Sequence, residues 1–239
     1  MNVEINGPKI LGYLFGNTNL PITETMRNAW IIMAFILLLC IFLTHRMEKI
    51  PKGKQAFAEK AVLMIDSLVD STMGEGCRAF SPYIMTLMMS SLFGSLASLF
   101  WMRSTTADLN TTLGWAIITF ILITYNKIKF GGIGGYLKGF LEPIFVMAPL
   151  NVLSEIATPV SMSFRHFGNM AGGLVITTLI MGALKVLSNA VLGFLPVPLL
   201  QIGLPGVLSL YFDCFTACMQ AFIFSMLTMA YVGDARGSS

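Results

Sequence analysis

The sequence predicts an all-α integral membrane protein with about five membrane helices, the last two long and tilted as a hairpin, plus a cytoplasmic amphipathic helix. Two observations support this class. Of the 239 residues, 55% are hydrophobic and 11% are charged, whereas soluble domains usually carry about 25% charged residues. The apolar residues fall into five long blocks separated by polar segments. The net charge of +3 is too small to indicate a nucleic-acid partner.

The first apolar block, from Ala29 to Thr44, predicts a retained membrane anchor. Glu4 and Glu24 precede it and no small-residue cleavage site follows it, so a secretory signal peptide is not indicated. The block is shorter than the ~20 residues that a helix needs to span a bilayer. Flanking residues can extend it to that length.

Basic residues assign the predicted segments to the two sides of the membrane. They cluster between the first and second blocks and between the third and fourth, while the turn between the second and third has only Arg103. The positive-inside rule then places both basic loops and the C-terminus in the cytoplasm and the N-terminus outside. The predicted parts of this single membrane domain, 1–239, are an outer segment (1–28), a first helix (29–44), a basic cytoplasmic loop with the amphipathic helix (45–80), two helices (81–126), a cytoplasmic loop (127–139), an arginine-bearing helix (140–187), a last helix (191–232) and a cytoplasmic tail (233–239).

The last two blocks are too long for simple vertical crossings. A helix of about forty residues is about 60 Å long, twice the ~30 Å thickness of the hydrocarbon core. Each block must therefore tilt steeply or break into two crossings. Pro159 and the segment from Gly193 to Gly206 indicate bends rather than charged loops, which favours long tilted helices.

The basic loop contains a predicted amphipathic helix from Phe57 to Met73. Apolar side chains recur there at helical spacing, with acidic residues elsewhere around the wheel. The pattern is typical of a helix lying on the cytoplasmic membrane face, although a solvated linker helix is an open alternative. The predicted apolar face consists of Phe57, Ala61, Met64, Ile65, Leu68 and Thr72.

No cofactor and no metal site are expected. Cys40, Cys214 and Cys218 lie in apolar blocks, where cysteine behaves as a small hydrophobic residue. The glycine-rich stretch from Gly131 to Gly139 lacks the Gly-Lys-Ser/Thr ending of a phosphate-binding loop. It is predicted to be a flexible interfacial loop.

Arg165 needs an explanation because it lies deep in the fourth apolar block. A charge at the bilayer centre costs about 2.5–3.5 kcal/mol on insertion scales, and such residues usually mark an ion or substrate path. Glu155 is the nearest carboxylate in sequence, but it lies about 15 Å away along a straight helix. Arginine keeps its proton and cannot relay protons itself. It can, however, favour the ionised form of a nearby carboxylate and so make another group release a proton.

A helical wheel places Arg165 on a stripe of small residues. The stripe lies within about 60° of the arginine and consists of Ser154, Thr158, Ser161, Gly168 and Gly172. A close contact between helices would explain the stripe, but it would not explain the arginine. Asn151 and Asn169 lie on one flank of the stripe, with Glu155 further round the helix.

The last block carries a second polar face, and its acidic residue is a candidate proton relay. Capping of that acid by local hydroxyl groups is the alternative. The face consists of Ser209, Asp213, Thr216 and Gln220, with Tyr231 on the same side. The predicted orientation places Asn151, Glu155 and Ser161 inward of Arg165, with Asn169 outward. The polar residues thus divide into two groups on opposite sides of one fixed positive charge.

These motifs resemble those of the a subunit of F-type ATP synthases. The stretch "PVSMSFRHFGNMAGG" (159–173) is similar to the arginine-bearing helix of that family, and "QAFIFSMLTMAYV" (220–232) is similar to its last helix. The stretches "TADLNTT", "KGFLEP" and "PLNVLSEIATPVS" also fit, in the right order. The resemblance therefore covers nearly the whole chain after about Ala29.

The resemblance implies a stator subunit that couples transmembrane proton flow to rotation of a ring of c subunits and so to ATP synthesis. Arg165 would face a carboxylate of this ring, with Gln220 beside it. Two half-channels would be formed by residues among Asn151, Glu155, Ser161, Asn169, Ser209, Asp213, Thr216, Gln220 and, in the TADLNTT motif, Asp108. Peripheral-stalk b subunits, the soluble ATPase head and the lipid bilayer are the further implied partners. The chain would translocate ions and would not be an enzyme on its own.

The chain departs from this family at two positions. Many relatives carry Glu or His where this chain has Leu174, and a paired His or Glu in the last helix where it has Asp213. The intake route would then depend on one acidic relay. His166, beside Arg165, is expected to pack in the interior because it points about 100° away from the arginine.

A stand-alone secondary transporter with a charged site at mid-membrane is the alternative function. Such transporters often consist of two related halves with broken helices, and no such symmetry is visible in the sequence. A structural scaffold, in which an ion pair tolerates Arg165, is a third hypothesis. The expected location is a bacterial plasma membrane, although an organelle-encoded subunit would have a similar sequence.

Overall fold

The computed structural model describes residues 9–13, 21–45, 47–74, 76–100, 102–141, 145–191 and 204–237. The elements in these ranges are β1 (Ile10–Tyr13), β2 (Pro21–Thr23), α1 (Glu24–Thr44), α2 (Lys54–Met73), α3 (Ser81–Leu96), α4 (Leu109–Leu141), α5 (Ala148–Val191) and α6 (Leu204–Asp234). Five stretches of the described chain are long and apolar enough to cross a membrane, namely Glu24–Thr44, Arg78–Phe100, Leu109–Leu141, Phe145–Ser188 and Asp213–Asp234. The predicted class, an all-α membrane protein with five spanning helices, is confirmed.

The start of α1 lies at Glu24, earlier than the predicted start at 29. The hydroxyl of Thr23 accepts a hydrogen bond from the Met26 amide at 3.3 Å, and Glu24 places a negative charge in the first turn. Both features stabilise a helix N-terminus. The short antiparallel pair of β1 and β2 precedes the helix and was not predicted.

The amphipathic segment is the helix α2, but its buried face differs from the predicted one. Ile65, Val69 and Met73 are buried, whereas Phe57 and Met64 are 68% and 62% exposed. The buried stripe packs against α3 and α6 in a common core cluster. This helix is therefore part of the packed bundle, and the solvated linker is not what the structure contains.

The glycine-rich stretch predicted as a loop at 127–139 is helical and forms the second part of α4. Gly132, with φ 70° and ψ 163°, interrupts the helix and makes a kink there. The rings of Tyr136 and Phe140 contact each other edge to face at 4.9 Å, and the Phe140 carbonyl accepts a hydrogen bond from the Asn151 amide group at 2.9 Å. The ring contact within α4 and the hydrogen bond from α5 stabilise a helix that its glycine content alone disfavours.

The helix α5 runs through 44 residues without a break, and Pro159 lies inside it. At 1.5 Å per residue it is about 66 Å long, which is more than the thickness of the hydrocarbon core. It fits within that thickness only when it is steeply inclined. The alternative of two separate crossings within 140–187 is therefore wrong. The last helix, predicted for 191–232, begins at Leu204 in the structure, and residues 192–203 lie outside the described ranges. It packs against α5.

The two ends of the bundle are held by different contacts. At one end, which we call the basic end, the guanidinium of Arg236 lies 4.9 Å from the Phe130 ring and 5.7 Å from the Phe80 ring. At the other end, which we call the distal end, the amide of Asn28 donates to the Arg103 carbonyl at 3.0 Å. The beginning of α1 therefore lies beside the turn between α3 and α4.

Two apolar clusters hold the helices together. The larger one joins α2, α3, α4 and α6 and contains Ile65, Val69, Met73, Cys77, Ile84, Ile123, Met229, Val232 and Ala235. The smaller one joins α3, α4, α5 and α6 through Leu87, Ala116, Met162 and Phe224. Between the helices, buried hydroxyl groups form hydrogen bonds, such as Tyr83 with Thr119 at 3.2 Å. In an apolar solvent such bonds fix the helix register.

A close approach at Gly94 provides a test of this packing. A Cβ at Gly94 would overlap the buried hydroxyl of Thr105, so Gly94→Ala is expected to destabilise the fold by about 1–3 kcal/mol. Gly114→Ala is the matched control, because a Cβ there meets no atom within 4 Å. Thermal unfolding in detergent, followed by circular dichroism, measures both. Equal melting temperatures for the two variants would contradict the packing of α3 on the Thr105 turn.

Candidate functional site

Arg165 lies on the open face of α5. Its side chain is exposed, as are those of Ser161 and Asn169 on the same face. Three ion pairs occur among the described residues, and Arg165 belongs to none of them. It also has no hydrogen bond within the described part of the chain. A cation on a membrane-spanning helix that has no partner in the described part of its chain indicates a partner from another subunit.

The small residues beside the arginine are also uncovered. A Cβ added to Gly168 or Gly172 would meet no atom within 4 Å. Small residues allow another helix to approach closely, yet no described helix of this chain occupies that space. Within the described chain, the stripe at Gly168 and Gly172 is therefore not an internal helix contact, and it leaves room for a helix from another subunit.

The opposite face of α5 is buried and fixes the rotation of the helix. Ser163 is fully buried and its hydroxyl lies 3.1 Å from that of Thr112 on α4. His166 is 1% exposed, and its Nε2 lies 3.3 Å from the Ser91 hydroxyl on α3. These anchors at 163 and 166 flank the arginine, so Arg165 points outward.

Aromatic packing completes this anchor. The His166 ring contacts Trp115 at 6.0 Å and Phe224 at 5.5 Å, both edge to face. Among the described residues, its Nδ1 has no hydrogen-bond partner. The expectation that His166 packs in the interior is confirmed, and its contacts link α5 to three other helices.

A cavity lies at the basic end between α4, α5 and α6. It has a volume of about 660 Å³. Its polar lining includes Lys127, Tyr136, Asn151, Ser154, Glu155 and Thr158. The structure thus brings together Asn151 and Glu155, two of the residues predicted to lie inward of the arginine. Ser161, the third, is not in the lining and lies on the open face instead.

Glu155 is paired with a lysine of the preceding helix. The Lys127 ammonium donates to both carboxylate oxygens of Glu155, at 2.7 Å and 2.9 Å. The two side chains are 35% and 15% exposed. Glu155 therefore neutralises Lys127 at the cavity and does not neutralise Arg165.

The polar residues of α6 form a second group. Asp213 is half-buried and lies near Ser98, beyond the end of α3. Thr216 is half-buried, and Gln220 is 5% exposed. No hydrogen bond joins Gln220 to Arg165 in the described part of the chain. The side chain of Ser209 lies outside the described residues.

Asp108 lies at the distal end and joins two helices. One of its oxygens accepts a hydrogen bond from the Thr25 hydroxyl at 2.6 Å. The other accepts from the Asn110 amide at 3.0 Å, in the first turn of α4. Asp108 thus links the beginnings of α1 and α4, and it lies at the opposite end of the bundle from the Lys127–Glu155 pair.

Two residues with polar contacts at these sites were not predicted from the sequence. Lys127 was assigned only to a basic loop, and Ser98 was read as part of an apolar block. A signal for Lys127 exists in the spacing of Phe120, Ile123 and Lys127, which share one helix face and line the cavity. For Ser98 we find no comparable signal in the sequence.

The Lys127–Glu155 pair is testable by exchange of its charges. Lys127→Met leaves a half-buried carboxylate without its partner, and the fold is expected to lose about 1–3 kcal/mol, between the values for exposed and buried pairs. The double variant Lys127→Glu with Glu155→Lys is expected to recover most of this loss. Lys129→Met, an exposed lysine of the same helix, is the control. Thermal unfolding in detergent measures the stability of each variant. An equal loss of stability in the single and double variants would contradict the pairing.

The fold and this site define a multi-pass membrane protein that exposes, on one of its spanning helices, a fixed positive charge without a partner among the described residues. The model of the ATP synthase A chain family matches residues 26–233. The chain therefore belongs to this family and has the role of the stator subunit a in the membrane sector of an F-type ATP synthase. Membership implies the c ring and the other synthase subunits as partners, and it does not favour the stand-alone transporter.

Similar proteins come from several bacteria. ATP synthase subunit a, sodium ion specific, of Propionigenium modestum is 30% identical over 98% of this chain and 87% of its own length. ATP synthase subunit a 2 of Bradyrhizobium sp. is 31% identical over 91% of this chain and 90% of its own. ATP synthase subunit a of Desulforamulus reducens is 34% identical over 88% of this chain and 78% of its own.

Proposed function

We propose that Arg165 is the stator charge that meets the carboxylates of a rotating c ring. The observation that carries this proposal is the exposed side chain of Arg165, which has no ion pair or hydrogen bond within the described chain. A fixed cation favours the ionised form of each arriving carboxylate. It therefore makes the carboxylate release its ion and opposes direct passage between the two sides.

The polar residues on either side of Arg165 would form the two half-channels. Asn151 and Glu155, in the cavity with Lys127, would lead to the basic end. Asn169, Ser209, Asp213, Thr216 and Gln220 would form the route toward the distal end, where Asp108 also lies. Ser161, on the open face, would line the path between the ring and the cavity. A membrane potential of 100 mV releases about 2.3 kcal/mol for each elementary charge that crosses the membrane. This energy drives rotation only when the two half-channels do not join.

The basic end would lie in the cytoplasm and the distal end outside, in keeping with the positive-inside rule. The single membrane domain would then keep the predicted order, from an outer segment at 1–28 to a cytoplasmic tail at 233–239. The peripheral-stalk b subunits would hold the chain against rotation, and the soluble ATPase head would perform the chemistry. The chain itself would carry no catalytic site.

The open space at Gly168 provides the experiment for this function. Gly168→Leu is expected to leave the fold unchanged, because a Cβ there meets no atom within 4 Å. In the assembled complex the larger side chain would hold the ring away from Arg165. We expect ATP-driven ion pumping into vesicles to fall by about tenfold or more, since a misplacement of about 1 Å can cost about 100-fold in an oriented reaction.

Gly114→Leu is the control, since that glycine is equally open but lies on α4. The assay is run with sodium varied and with a protonophore, so that it also identifies the transported ion. Normal pumping by Gly168→Leu would contradict a close ring contact at this face. A loss with Gly114→Leu as well would indicate a general effect of bulk on the membrane surface.

A further inference from the structure

A second cavity lies where the chain leaves α1 and turns into α2. It has a volume of about 380 Å³ and is lined by His45, Glu48, Lys52, Lys54 and Gln55. Two lysines and a histidine share this space with one glutamate, so the lining carries net positive charge. Such a cavity attracts an anion. It belongs to other helices than the face of Arg165, and the proposed ion path does not use it.

The loop that forms this cavity is held closed by the side chain of Gln55. The Glu48 amide donates to Oε1 of Gln55 at 2.8 Å, and Nε2 of Gln55 donates to the Glu48 carbonyl at 2.8 Å. Nε2 also donates to Glu59 at 2.8 Å, and Gln55 is only 8% exposed. Gly53, with φ 56°, makes the turn that precedes α2. The cavity is therefore preorganised and does not depend on a ligand to form.

Lys54 places the cavity at the membrane boundary. Its ammonium donates to the Phe42 carbonyl in the last turn of α1 at 2.9 Å and lies 4.4 Å from the Phe42 ring centroid. Because α1 is a membrane-spanning helix, a charged group at its last turn lies where hydrocarbon gives way to headgroups. An ammonium has three donors, so two of them are free for another acceptor.

The rim of the cavity is apolar and uncovered. Phe42, Met47 and Ile50 are 63%, 62% and 70% exposed. Exposed apolar side chains beside lysines at this depth are typical of segments that contact acyl chains and anionic headgroups together. A free phosphate ion would use the lysines but would gain nothing from this rim.

We propose that this cavity binds the phosphate headgroup of an anionic phospholipid. Lys52 and Lys54 face the phosphate, and His45 adds a further donor. Phe42, Met47 and Ile50 lie along the acyl chains. Glu48 carries the one negative charge in the lining and disfavours a second phosphate. A lipid held here joins the end of α1 to the beginning of α2.

Photolabelling of the assembled complex tests this proposal. The complex is reconstituted in phosphatidylcholine vesicles that contain either phosphatidylglycerol or phosphatidylcholine with a diazirine in one acyl chain. Mass spectrometry then locates the label. The structure predicts selective labelling of 41–55 by the phosphatidylglycerol probe. Lys52→Gln is expected to lower this labelling about fivefold, the effect of one lysine at a membrane surface. The Lys52 side chain has no hydrogen bond or ion pair in the described chain, so the variant folds normally.

Lys60→Gln is the matched control, because Lys60 is an exposed lysine of α2 that is absent from the cavity lining. Equal labelling by the two probes, or an equal loss in both variants, would overturn the site in favour of general surface charge. Loss of labelling on addition of inorganic phosphate would show a free-anion site instead. A zero-length cross-link from Lys52 to another subunit would show that a protein covers the cavity. Each of these four results overturns the proposal.

Discussion

Arg165→Ala is expected to reduce ATP-driven ion pumping by the assembled complex by about 10- to 1,000-fold. The factor follows from the one to three units by which a nearby cation shifts the ionisation of a carboxylate. Among the described residues no other cation lies on the face of Arg165, and Lys127 is held by Glu155. The fold should persist, since the arginine has no bond within the described chain. Uptake of the transported ion by inverted vesicles, with ATP added, measures the pumping.

The controls separate a coupling charge from general basicity. Lys129→Ala removes an exposed cation of α4, which lies 5.7 Å from the Tyr125 ring and away from the open face, and it is expected to pump normally. Arg165→Lys keeps the charge on a shorter point-like group and should retain part of the activity. Normal pumping by Arg165→Ala in a fully assembled complex would show that another group couples the ion to the ring.

Asp213→Asn is expected to have the second largest effect on transport. The carboxyl group is half-buried in α6 and lies near Ser98. It is also the only carboxylate among the residues proposed for the distal route on α5 and α6. Loss of a positioned proton-transfer group typically costs at least about 100-fold, and we expect a fall of that order in both pumping and ATP synthesis. Synthesis driven by an imposed ion gradient is the direct measurement.

The matched variants for Asp213 distinguish a relay from a packing group. Asp213→Glu keeps a carboxyl group and should recover part of the rate, while Asp66→Asn changes a carboxylate of α2 outside both proposed routes. Asp213→Asn keeps the shape of the side chain and one acceptor oxygen, so a structural role would leave transport largely intact. An unchanged rate would therefore remove Asp213 from the ion path.

The spanning helices and the importance of Arg165 could be predicted because they depend on local composition. Hydropathy over about 20 residues identifies a membrane helix, and a charge within such a helix is costly wherever its neighbours lie. The alternatives for Arg165 could not be separated in this way. The stripe of glycines around Arg165 suits an internal contact or an external one, and only the packed bundle shows that Gly168 is uncovered.

Pairings between helices could not be predicted, since they depend on register. Lys127 and Glu155 come from α4 and α5, and nothing local to either residue indicates that they meet. The buried face of α2 was misplaced for a related reason. Membrane lipid is as apolar as the protein core, so apolar spacing alone does not tell Phe57, which is exposed, from Val69, which is buried.

Helix formation at the glycine-rich end of α4 was missed because propensity was the only guide. Four glycines between 131 and 135 favour a loop, yet contacts of Phe140 with Tyr136 and Asn151 stabilise a helix there. Tertiary contacts routinely override propensity in this way. The position of Gln220 beside Arg165 and the orientation of the termini stay predictions.

The central claim is that the Arg165 face of α5 meets the c ring, and disulfide cross-linking tests it most directly. The four native cysteines, at 40, 77, 214 and 218, are replaced by alanine, and Asn169→Cys is paired with cysteines along the outer helix of the c subunit. We expect an oxidant to produce a disulfide-linked dimer of this chain with one c subunit. The control is Leu37→Cys on α1, where Leu37 is 62% exposed, and it is expected to produce no such dimer. A failure of Asn169→Cys to cross-link at every ring position, or equal cross-linking from Leu37→Cys, would contradict a ring contact at this face.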